Sequence, residues 1–505
     1  MIGKSTEKSY DIVVIGSGAG GGTVAKELAP LCRDGRRIAV LEWGPKLKEE
    51  EYTGREVEMA GRIFVESSGM LTADGAMTLA MGRAYGGSTV MYTGTSITIP
   101  EATLERWEVP GLDWADLVGR SRKYMTENNV HLLPPEAIND NNRLFQEGCQ
   151  KLGYSVEQFP INLKGCQGSG LCNLGCPNAA KQGTHRVQLP AAEAGGVEVI
   201  TNCRVEAIEK RAVVARVTAG ACGEPSAWEP GVYRVTAPIV VLAAGSIHSS
   251  ALLLKSPYAA GLPALGRWFT AHPALILVAQ HDRPLSNFHG HPKSFFCDEF
   301  MESQRFLLET CMYFPFVTAK SLAGFGRDHS ALMSDMRRLQ MILVLAMDAA
   351  DRDNRIAIDK AGQPVVHYRF GEALVESLVH SMRASARIFF AAGARRVHAP
   401  AASKFFIEDH EAGRIDELIG RRDFKLGRVS IASAHLMGGL RMGAGPTTSV
   451  TDAWGQVHGL PWLFVADAGL FPRCSEVNPY LTIMGLADRV AERIRERAGE
   501  LLASA

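Results

Sequence analysis

The sequence predicts an α/β protein in which one parallel-sheet domain is assembled from separated segments of the chain. Strand–turn segments rich in Gly and Ala occur at residues 11–45, 238–256 and 430–490. Between them lie residues 101–165, which are polar with Trp and Pro, and 276–430, which mix alternating strand-like and aromatic-rich runs. This alternation is expected when a second domain is inserted into a parallel α/β domain.

The first predicted element is a buried strand that leads into a glycine-rich turn and a helix. Residues 12–15 (IVVI) precede the motif Gly16-x-Gly18-x-x-Gly21. Gly16 permits a tight turn, Gly18 lets the backbone approach a pyrophosphate, and Gly21 lets the helix pack closely on the strand. The spacing predicts a dinucleotide at the helix N-terminus, and a glycine-rich turn without a ligand is the alternative.

The second predicted strand ends in an acidic residue. The run RIAVLEWG, residues 37–44, places Glu42 about twenty residues after the glycines, where a carboxylate can accept hydrogen bonds from a ribose diol. A carboxylate disfavours a 2′-phosphate, so FAD or NAD is expected in preference to NADP. The motif alone does not choose between FAD and NAD.

Composition excludes several classes of protein. Lys plus Arg and Asp plus Glu both total 54, so the chain lacks the basic excess that nucleic-acid binding needs. The apolar run MILVLAM is too short to span a bilayer, and no secretory segment is recognised at the N-terminus. Ten cysteines in 505 residues do not predict a disulfide scaffold. A cytoplasmic location is the default, with a periplasmic one expected only if a partner subunit carries the export signal.

Four further motifs follow one another along the chain. They are MGRAYGGSTVMYTG at 81–94, VVLAAGSIHSSALLLKS at 240–256, SAHLMGGLRMG at 433–443 and VADAGLFPRCSEVNPYLTIMGLADRVAERI at 465–494. Together with the N-terminal glycines, they make the chain resemble the glucose–methanol–choline (GMC) flavin oxidoreductases from about residue 10 to residue 495.

The resemblance implies a cofactor, a reaction and a fold. GMC enzymes bind FAD rather than NAD and oxidise an alcohol by passing its hydride to flavin N5. No histidine lies in residues 82–100, so non-covalent FAD is expected. The electron acceptor is either oxygen or a redox carrier or partner subunit. A Rossmann-like FAD-binding domain and a substrate domain with a mostly antiparallel sheet are the expected architecture.

The expected domains follow from these segments. The predicted ranges are 1–100, 190–275 and 430–505 for the discontinuous FAD-binding domain, 101–189 for an insertion containing cysteines, and 276–429 for the substrate-binding domain.

The resemblance also implies two catalytic residues. His435 matches the histidine of the family's H-P-x-G-T motif, and Asn478 matches its second catalytic position. A hydride leaves an alcohol carbon readily only as the hydroxyl proton departs, which calls for a base such as His. An Asn can hold the substrate oxygen as charge develops on it. The alternatives are a hydrogen-bonded core role for His435 and a helix cap at Asn478, with Pro479 at the first helical position.

Further cofactor contacts are implied by the same motifs. The helix that starts at Pro479 is expected to point at the N1 and O2 edge of the flavin, where its N-terminus stabilises negative charge. The other expected FAD contacts are Arg83, Gly87, Ser88, Val205, Gly245, Asp467 and Ala468. Each of these positions is also compatible with a tight turn after a strand.

The segment GCQGSGLCNLGCPNAAK, residues 165–181, raises a separate hypothesis. Cys166, Cys172 and Cys176 are spaced like a ferredoxin run in which Ser169 replaces one cysteine. Three thiolates can hold a 3Fe-4S cluster, and certain sugar dehydrogenases of the family carry one. The alternatives are a tight loop near the cofactor, a zinc site completed by His185, free thiols or a disulfide.

The substrate is expected to be an apolar primary or secondary alcohol. The runs KSFFCDEF, CMYFPFV and LQMILVLAM are more aromatic and aliphatic than a sugar pocket needs, although such runs are also typical of sheet core. The alternatives are a sugar dehydrogenase with a 3Fe-4S relay, a non-redox lyase or decarboxylase, and an electron-transfer subunit.

Overall fold

The computed structural model of this protein describes residues 5–503, and its fold is α/β, as predicted. A five-stranded sheet, called the parallel sheet below, carries the glycine-rich turn. In spatial order its strands are Leu463–Val465, Ile239–Leu242, Ile12–Ile15, Ile38–Leu41 and Glu198–Ile200. Every neighbouring pair is parallel.

The strand sequences explain why this sheet is parallel. Strands Ile12–Ile15, Ile38–Leu41 and Ile239–Leu242 consist of Ile, Val, Leu and Ala, and every residue in them is buried. Such unbroken apolar runs are typical of strands covered on both faces, as in parallel sheets. Because the strands run the same way, their carboxyl ends meet at one edge of the sheet, where ligands bind in α/β folds.

A second, larger sheet is almost entirely antiparallel. Its path is Ile407–Glu408, Arg396–His398, Ala274–Gln280, Leu339–Ala346, Phe306–Thr310, Phe295–Cys297 and Glu157–Gln158. Strand Ile431–Ser433 pairs antiparallel with Ala274–Gln280 and parallel with Met77–Leu79. One continuous cluster of buried hydrophobic side chains extends through this sheet and the parallel sheet.

Smaller sheets complete the strand content. A four-stranded sheet runs in the order Thr6–Ser9, Gly231–Thr236, Ala212–Val217 and Cys203–Glu209. Two-stranded pairs join Thr270–Ala271 to Leu436–Met437, Arg355–Ile358 to Pro364–His367, and Val130–His131 to Ile161–Asn162.

The α-helices cover both sheets. They are Ala19–Leu28, Pro30–Arg33, Glu56–Ile63, Glu101–Glu105, Trp114–Glu127, Asp140–Leu152, Gln188–Ala194, Ser246–Leu254, Met301–Gln304, Pro315–Ser321, Arg327–Ser334, Glu372–Ala391, Ile415–Leu418 and Tyr480–Ala503. Within residues 5–503, no helix is both long enough and apolar enough to cross a membrane.

Polar contacts fix the long C-terminal helix, Tyr480–Ala503, in place. The helix packs against Ala19–Leu28 and Trp114–Glu127. Its buried Asp488 accepts hydrogen bonds of 2.6 Å from Tyr124 Oη, Lys123 Nζ and Arg120 Nη1. A buried carboxylate is stable only when its oxygens are satisfied in this way. These contacts hold the C-terminal helix against helix Trp114–Glu127.

The predicted domain boundaries stay a prediction. Strands of the parallel sheet come from all three segments that the sequence assigned to the FAD-binding domain. The larger sheet takes most of its strands from 274–408, together with Met77–Leu79, Glu157–Gln158 and Ile431–Ser433.

Candidate active site

A cavity of about 510 Å³ lies at the carboxyl edge of the parallel sheet. It is lined by the residues that follow four of the strands, in the stretches 16–20, 42–43, 243–247 and 467–468. Strand Ile431–Ser433, from the larger sheet, also reaches it. The cavity therefore lies where the two sheets approach each other, at the edge where α/β folds bind ligands.

The glycine-rich turn forms one end of this cavity through close backbone contacts. Gly16 has φ +94°, and a Cβ on it would lie 2.5 Å from the carbonyl oxygen of Ala243. Gly87 has φ +53°, and a Cβ there would lie 2.6 Å from Gly18 Cα. A Cβ at Gly16 or Gly87 would overlap the facing backbone, so only glycine allows this close approach. We call the part of the cavity around Gly16, Gly18 and Gly87 the nucleotide end.

Gly21 lies outside the cavity wall, where its role is packing. It sits in helix Ala19–Leu28, and a Cβ on it would overlap the carbonyl oxygen of Gly16. The helix can start directly under the turn only because this Cβ is absent. Gly18 precedes the helix as its N-cap residue, so the backbone N–H groups of the first turn face the nucleotide end.

Glu42 lies at the end of strand Ile38–Leu41, as the sequence predicted, and lines the cavity. Its Oε2 accepts from the backbone N–H and the hydroxyl of Ser17 at 3.0 and 2.6 Å, and its Oε1 accepts from Gly44 N at 2.6 Å. Burial raises the pKa of Glu42. Oε2 thus accepts two hydrogen bonds and Oε1 only one, so Oε1 keeps a lone pair for one further donor.

All of the remaining predicted cofactor contacts also line the cavity. They are Arg83, Ser88, Val205, Gly245, Asp467, Ala468 and Pro479. Asp467 Oδ2 accepts from Gly245 N at 2.9 Å and from Ser249 Oγ at 2.5 Å, and Oδ1 accepts from Gly469 N at 2.8 Å. Burial raises the pKa of Asp467 to about 6. Asp467 therefore joins two turns that follow neighbouring strands.

His435 lines another part of the cavity and is bonded to a second histidine. Its Nδ1 lies 3.0 Å from Nδ1 of His272, and the two rings meet edge to face at 5.2 Å. Because one Nδ1–H serves both rings, Nε2 of His435 is the nitrogen left for a ligand. Burial lowers the pKa of His435 well below 6.5 and that of His272 to about 4, so both imidazoles are neutral near pH 7.

Asn478 lines the cavity with a side chain that caps no helix. It is buried, and its Oδ1 has no hydrogen-bond partner among residues 5–503. Helix Tyr480–Ala503 begins two residues later, and Pro479 O accepts from Ile483 N at 2.9 Å. The amide is therefore free for a ligand, which removes the capping alternative for this residue.

The wall beside His435 is apolar with one buried charge. Ile276, Met312, Tyr313, Leu343 and Leu345 line the cavity there. Lys293 also lines it, and its ammonium is paired with Glu309, a fully buried residue behind the wall. Glu309 balances the charge of Lys293, so the pair brings no net charge to the wall. We call this part of the cavity the alcohol end, in reference to the reaction that the sequence predicts.

Two of these residues were missed by the sequence analysis. His272 is 163 positions from His435, and Lys293 comes from a third separate segment. Neither belongs to a spaced motif, so the sequence offers no signal beyond the dipeptide His272–Pro273 and the run that starts at Lys293. Only the tertiary fold brings Lys293 to the cavity and His272 against His435.

The structure does not support the predicted 3Fe-4S cluster. Within residues 5–503, no three His, Cys, Asp or Glu side chains gather as metal ligands must, which also removes the zinc alternative with His185. Cys166 is exposed, Cys172 is buried and Cys176 is half-buried, and all three are free thiols. None of them lines the cavity.

The cysteine segment instead forms part of the cavity's support. Asn173 and Leu174, between the second and third cysteines, line the cavity. The ammonium of the buried Lys181 donates to the carbonyl oxygens of Cys172 and Tyr92, and Tyr92 also lines the cavity. Burial lowers the pKa of Lys181 to about 8. This fits the alternative that the segment shapes a tight loop near the cofactor.

Solved structures share this fold. Pyridoxine 4-oxidase from Mesorbium loti matches with a TM-score of 0.70 at 17% identity, covering 96% of this chain and 99% of that one. Formate oxidase from Aspergillus oryzae matches with a TM-score of 0.68 at 14% identity, covering 99% of this chain and all of that one. At such identities, the likeness concerns the fold alone.

Sequence comparisons give the family. Family models described as GMC oxidoreductase match residues 60–274 and 350–487. An uncharacterized GMC-type oxidoreductase of Mycobacterium tuberculosis is 32% identical over 96% of this chain and 75% of its own length. Long-chain-alcohol oxidase FAO1 of Arabidopsis thaliana is 26% identical over 96% of this chain and 66% of its own length. The chain belongs to the GMC oxidoreductase family, as its motifs predicted.

Proposed function

We propose that this oxidoreductase uses FAD to oxidise an apolar alcohol to an aldehyde or ketone. His435 is the general base, and Asn478 positions the substrate oxygen. One observation carries the proposal. A single cavity contains the nucleotide end, formed by close glycine backbones, and the alcohol end, where a neutral histidine lies with a buried amide whose Oδ1 has no partner among the described residues. The groups expected to bind a dinucleotide and those expected to act on a substrate thus border one continuous cavity.

The residues of the nucleotide end fit FAD. Gly18 and Gly87 leave their backbones bare, and the N-terminus of helix Ala19–Leu28 faces the same space, which suits a diphosphate. Arg83 lines the cavity with a buried Nε that has no partner among the described residues. Glu42 is placed to accept from a ribose diol. An anionic dinucleotide satisfies each of these groups.

The chemistry divides between cofactor and protein. When bound, FAD supplies the acceptor for the substrate hydride at flavin N5. The protein must remove the hydroxyl proton, and Nε2 of His435 can take it because burial keeps the ring neutral. This role requires the tautomer in which Nδ1–H of His435 donates to Nδ1 of His272, 3.0 Å away, so that Nε2 of His435 is left free.

Asn478 complements this base. Its side-chain amide has no protein partner at Oδ1 and lines the same cavity as His435. An amide N–H directed at the substrate oxygen holds it as negative charge develops. Asn478 would therefore orient the alcohol, while His435 takes its proton.

The apolar wall is the evidence for an apolar substrate. Ile276, Met312, Leu343 and Leu345 offer no hydrogen bond to the several hydroxyls of a sugar, and burying those hydroxyls without partners is costly. The name of the Arabidopsis relative, long-chain-alcohol oxidase, points to the same substrate class.

Anaerobic bleaching of the flavin tests the proposal. Purified protein is mixed under nitrogen with dodecanol, cyclohexanol, benzyl alcohol or glucose, and the flavin absorbance is followed. We expect bleaching by the apolar alcohols and little by glucose. Readmission of oxygen, compared with addition of a redox dye, then identifies the electron acceptor. Bound FAD that no alcohol bleaches would reject the proposal in favour of a non-redox reaction.

A further inference from the structure

The loop that carries Asn478 has a strained backbone two residues before that amide. Glu476 has φ +60°, in the left-handed region that glycine adopts freely and that costs other residues free energy. Glu476 is buried, and it does not line the cavity. A residue other than glycine persists in this conformation only when its surroundings hold it there.

Three donors hold the carboxylate of Glu476. Its Oε2 accepts from Thr103 Oγ1 at 2.7 Å and from the guanidinium of Arg106, and its Oε1 accepts from the guanidinium of Arg305. Burial by itself would raise the pKa of Glu476, but the bonds from Arg305 and Thr103 lower the pKa below its usual range, so the group is ionised near pH 7. We call these four residues the carboxylate cluster.

The donors of the carboxylate cluster belong to two separate elements. Thr103 lies in helix Glu101–Glu105, and Arg106 directly follows that helix. Arg305 directly precedes strand Phe306–Thr310 of the larger sheet. The carboxylate cluster therefore connects the loop before Asn478 to a helix and to the larger sheet at once.

Cys474, at the start of the same loop, is also held by its neighbours. Its carbonyl oxygen accepts from Trp107 Nε1 at 3.3 Å, and its Sγ donates to the carbonyl oxygen of Asp348 at 3.2 Å. Trp107 lies one residue after Arg106 of the carboxylate cluster, so one short segment of the chain holds the loop at two points.

The side chain of Asn478 has no such support. Its Oδ1 is buried without a partner, and its amide makes no hydrogen bond with any part of the chain that the structure describes. The direction in which this amide points therefore depends on the backbone of the loop. Small displacements matter for such a group, since a misplacement of about 1 Å can cost about 10²-fold in rate.

We propose that Glu476 is a positioning residue for Asn478. The carboxylate cluster holds the loop in the conformation that presents the Asn478 amide to the cavity. The left-handed backbone at residue 476 would suit glycine, so the carboxylate and not the turn accounts for a glutamate there. The consequence for the reaction rests on the proposed function of Asn478, whereas the fixing of the loop does not.

The variant Glu476→Gly separates the carboxylate from the turn. Glycine relieves the strain at φ +60° but binds none of the three donors, so glycine would replace without loss a residue that only formed the turn. The FAD-loaded variant is mixed anaerobically with dodecanol, or with whichever alcohol bleaches the flavin. We expect the limiting rate of flavin reduction to fall by about tenfold, with FAD content unchanged.

Glu108→Gly is the matched control. Glu108 has φ +52°, and its exposed side chain makes no hydrogen bond or ion pair with the described residues. The same substitution therefore relieves the same kind of strain without removing a bound carboxylate. The rate of flavin reduction in this control should stay within about twofold of that in the unchanged protein.

A second comparison shows whether Glu476 acts through Asn478. In protein that already carries Asn478→Ala, Glu476→Gly should change the rate of flavin reduction by less than about twofold, because the amide to be positioned is absent. A purely structural role would slow reduction equally in both backgrounds. Arg305→Met removes one donor and keeps Glu476, so it should slow reduction by about threefold, and it serves as the test if Glu476→Gly does not fold.

Hydrogen–deuterium exchange measures the loop without substrate. The backbone amides of residues 474–478 should exchange at least about tenfold faster in Glu476→Gly and in Arg305→Met than in the unchanged protein or in Glu108→Gly. Unchanged exchange in both variants overturns the proposal. Where Asn478→Ala itself slows reduction, an unchanged rate in Glu476→Gly, or equal slowing in the two backgrounds, overturns it as well. If the loop exchanges faster but Asn478→Ala reduces flavin at the normal rate, the fixing of the loop stands and the proposed role of Asn478 fails.

Discussion

The two ends of the cavity are built in different ways. At the nucleotide end, backbone atoms of glycines form the cavity wall. Gly16 and Gly87 have positive φ, and Gly18 leaves its backbone exposed to the cavity. At the alcohol end, His435 and Asn478 come from separate stretches of the chain and both line the cavity, and His272, from a third stretch, is bonded to His435. One end depends on where side chains are absent and the other on which side chains are present.

This difference separates binding from chemistry. A glycine cradle accepts a diphosphate through backbone N–H groups, whose positions follow from the strand–turn–helix fold. The base and the amide depend on individual side chains, which a substitution can remove without moving the backbone. Substitutions at the alcohol end should therefore affect the reaction rate, and those at the nucleotide end should affect cofactor content and stability.

The largest effect is expected from His435→Ala. This change removes the base and leaves the nucleotide end intact, so flavin reduction by alcohol should slow by about 10²–10⁴-fold while FAD content stays unchanged. Anaerobic stopped-flow measurement of the flavin absorbance gives the rate, and the absorbance spectrum of the purified variant gives the FAD content. His131→Ala, at an exposed position outside the cavity, is the control. Unchanged reduction in His435→Ala would remove the catalytic assignment.

Gly87→Ala should lower FAD content and stability, whereas His435→Ala should lower the rate of flavin reduction. Its Cβ would lie 2.6 Å from Gly18 Cα, so the two backbones must separate, and φ +53° adds strain. We expect loss of most bound FAD and a free energy of unfolding lowered by about 2 kcal/mol or more. Flavin content and denaturant unfolding measure the two effects.

Gly35→Ala is the matched control for this glycine. Gly35 has φ +79°, but a Cβ there meets nothing within 4 Å. The control should show the cost of backbone strain, about 1 kcal/mol, and keep its FAD. If the two alanine variants lose equal amounts of FAD, close approach of the backbones is not what forms the cradle.

The difference between the backbone-built nucleotide end and the alcohol end also explains how much of the site the sequence could predict. Strand Ile12–Ile15, the glycine spacing and Glu42 are local patterns with one geometric solution, so the fold and the nucleotide end were predictable. His435 and Asn478 were predicted as catalytic residues through the family resemblance alone, and these roles stay a prediction. The pairing of His435 with His272 depends on how strands Thr270–Ala271 and Leu436–Met437 meet, and no sequence period encodes that contact.

In the cysteine segment, a local spacing suggested a metal cluster that the structure does not support. Cys166, Cys172 and Cys176 have a spacing that is typical of an iron–sulfur ligand set, but the structure leaves one exposed and another buried. Spacing along the chain specifies a cluster only when the backbone turns the thiols toward one point. Here the buried Lys181 holds the backbone of Cys172 instead, through its carbonyl oxygen.

A smaller effect on rate is expected at His272. His272→Leu removes the acceptor for the Nδ1–H of His435, so the base loses its orientation and flavin reduction should slow by about ten- to a hundredfold. His272→Asn has nearly the same size and can place an oxygen where Nδ1 was, so it should recover much of the rate. Equal losses in both variants, measured with FAD content unchanged, would make His272 a packing residue only.

The pH dependence of flavin reduction should be flat where an ordinary histidine would titrate. The base acts in its neutral form, and burial lowers the pKa of His435 below 6.5, so the acid limb of the profile moves to lower pH. Between about pH 8 and about pH 6, the limiting reduction rate should therefore stay constant. A profile that falls with an apparent pKa near 6.5 would show that the ring is solvated when substrate is bound.

The smallest effects are expected in the cysteine segment. Cys166→Ser alters an exposed thiol and should leave the free energy of unfolding unchanged within about 0.5 kcal/mol. Cys172→Ser puts a hydroxyl in a buried position and should cost about 1 kcal/mol. Neither change should alter flavin reduction or electron transfer to an added acceptor, because neither thiol reaches the cavity.

One outcome would contradict this expectation. If Cys172→Ser blocked only the transfer to the acceptor, and iron analysis of the unchanged protein gave about three atoms per chain, the electrons would leave through this segment after all. Electrons taken from the alcohol would then pass from the flavin through a cluster in this segment before they reach the acceptor.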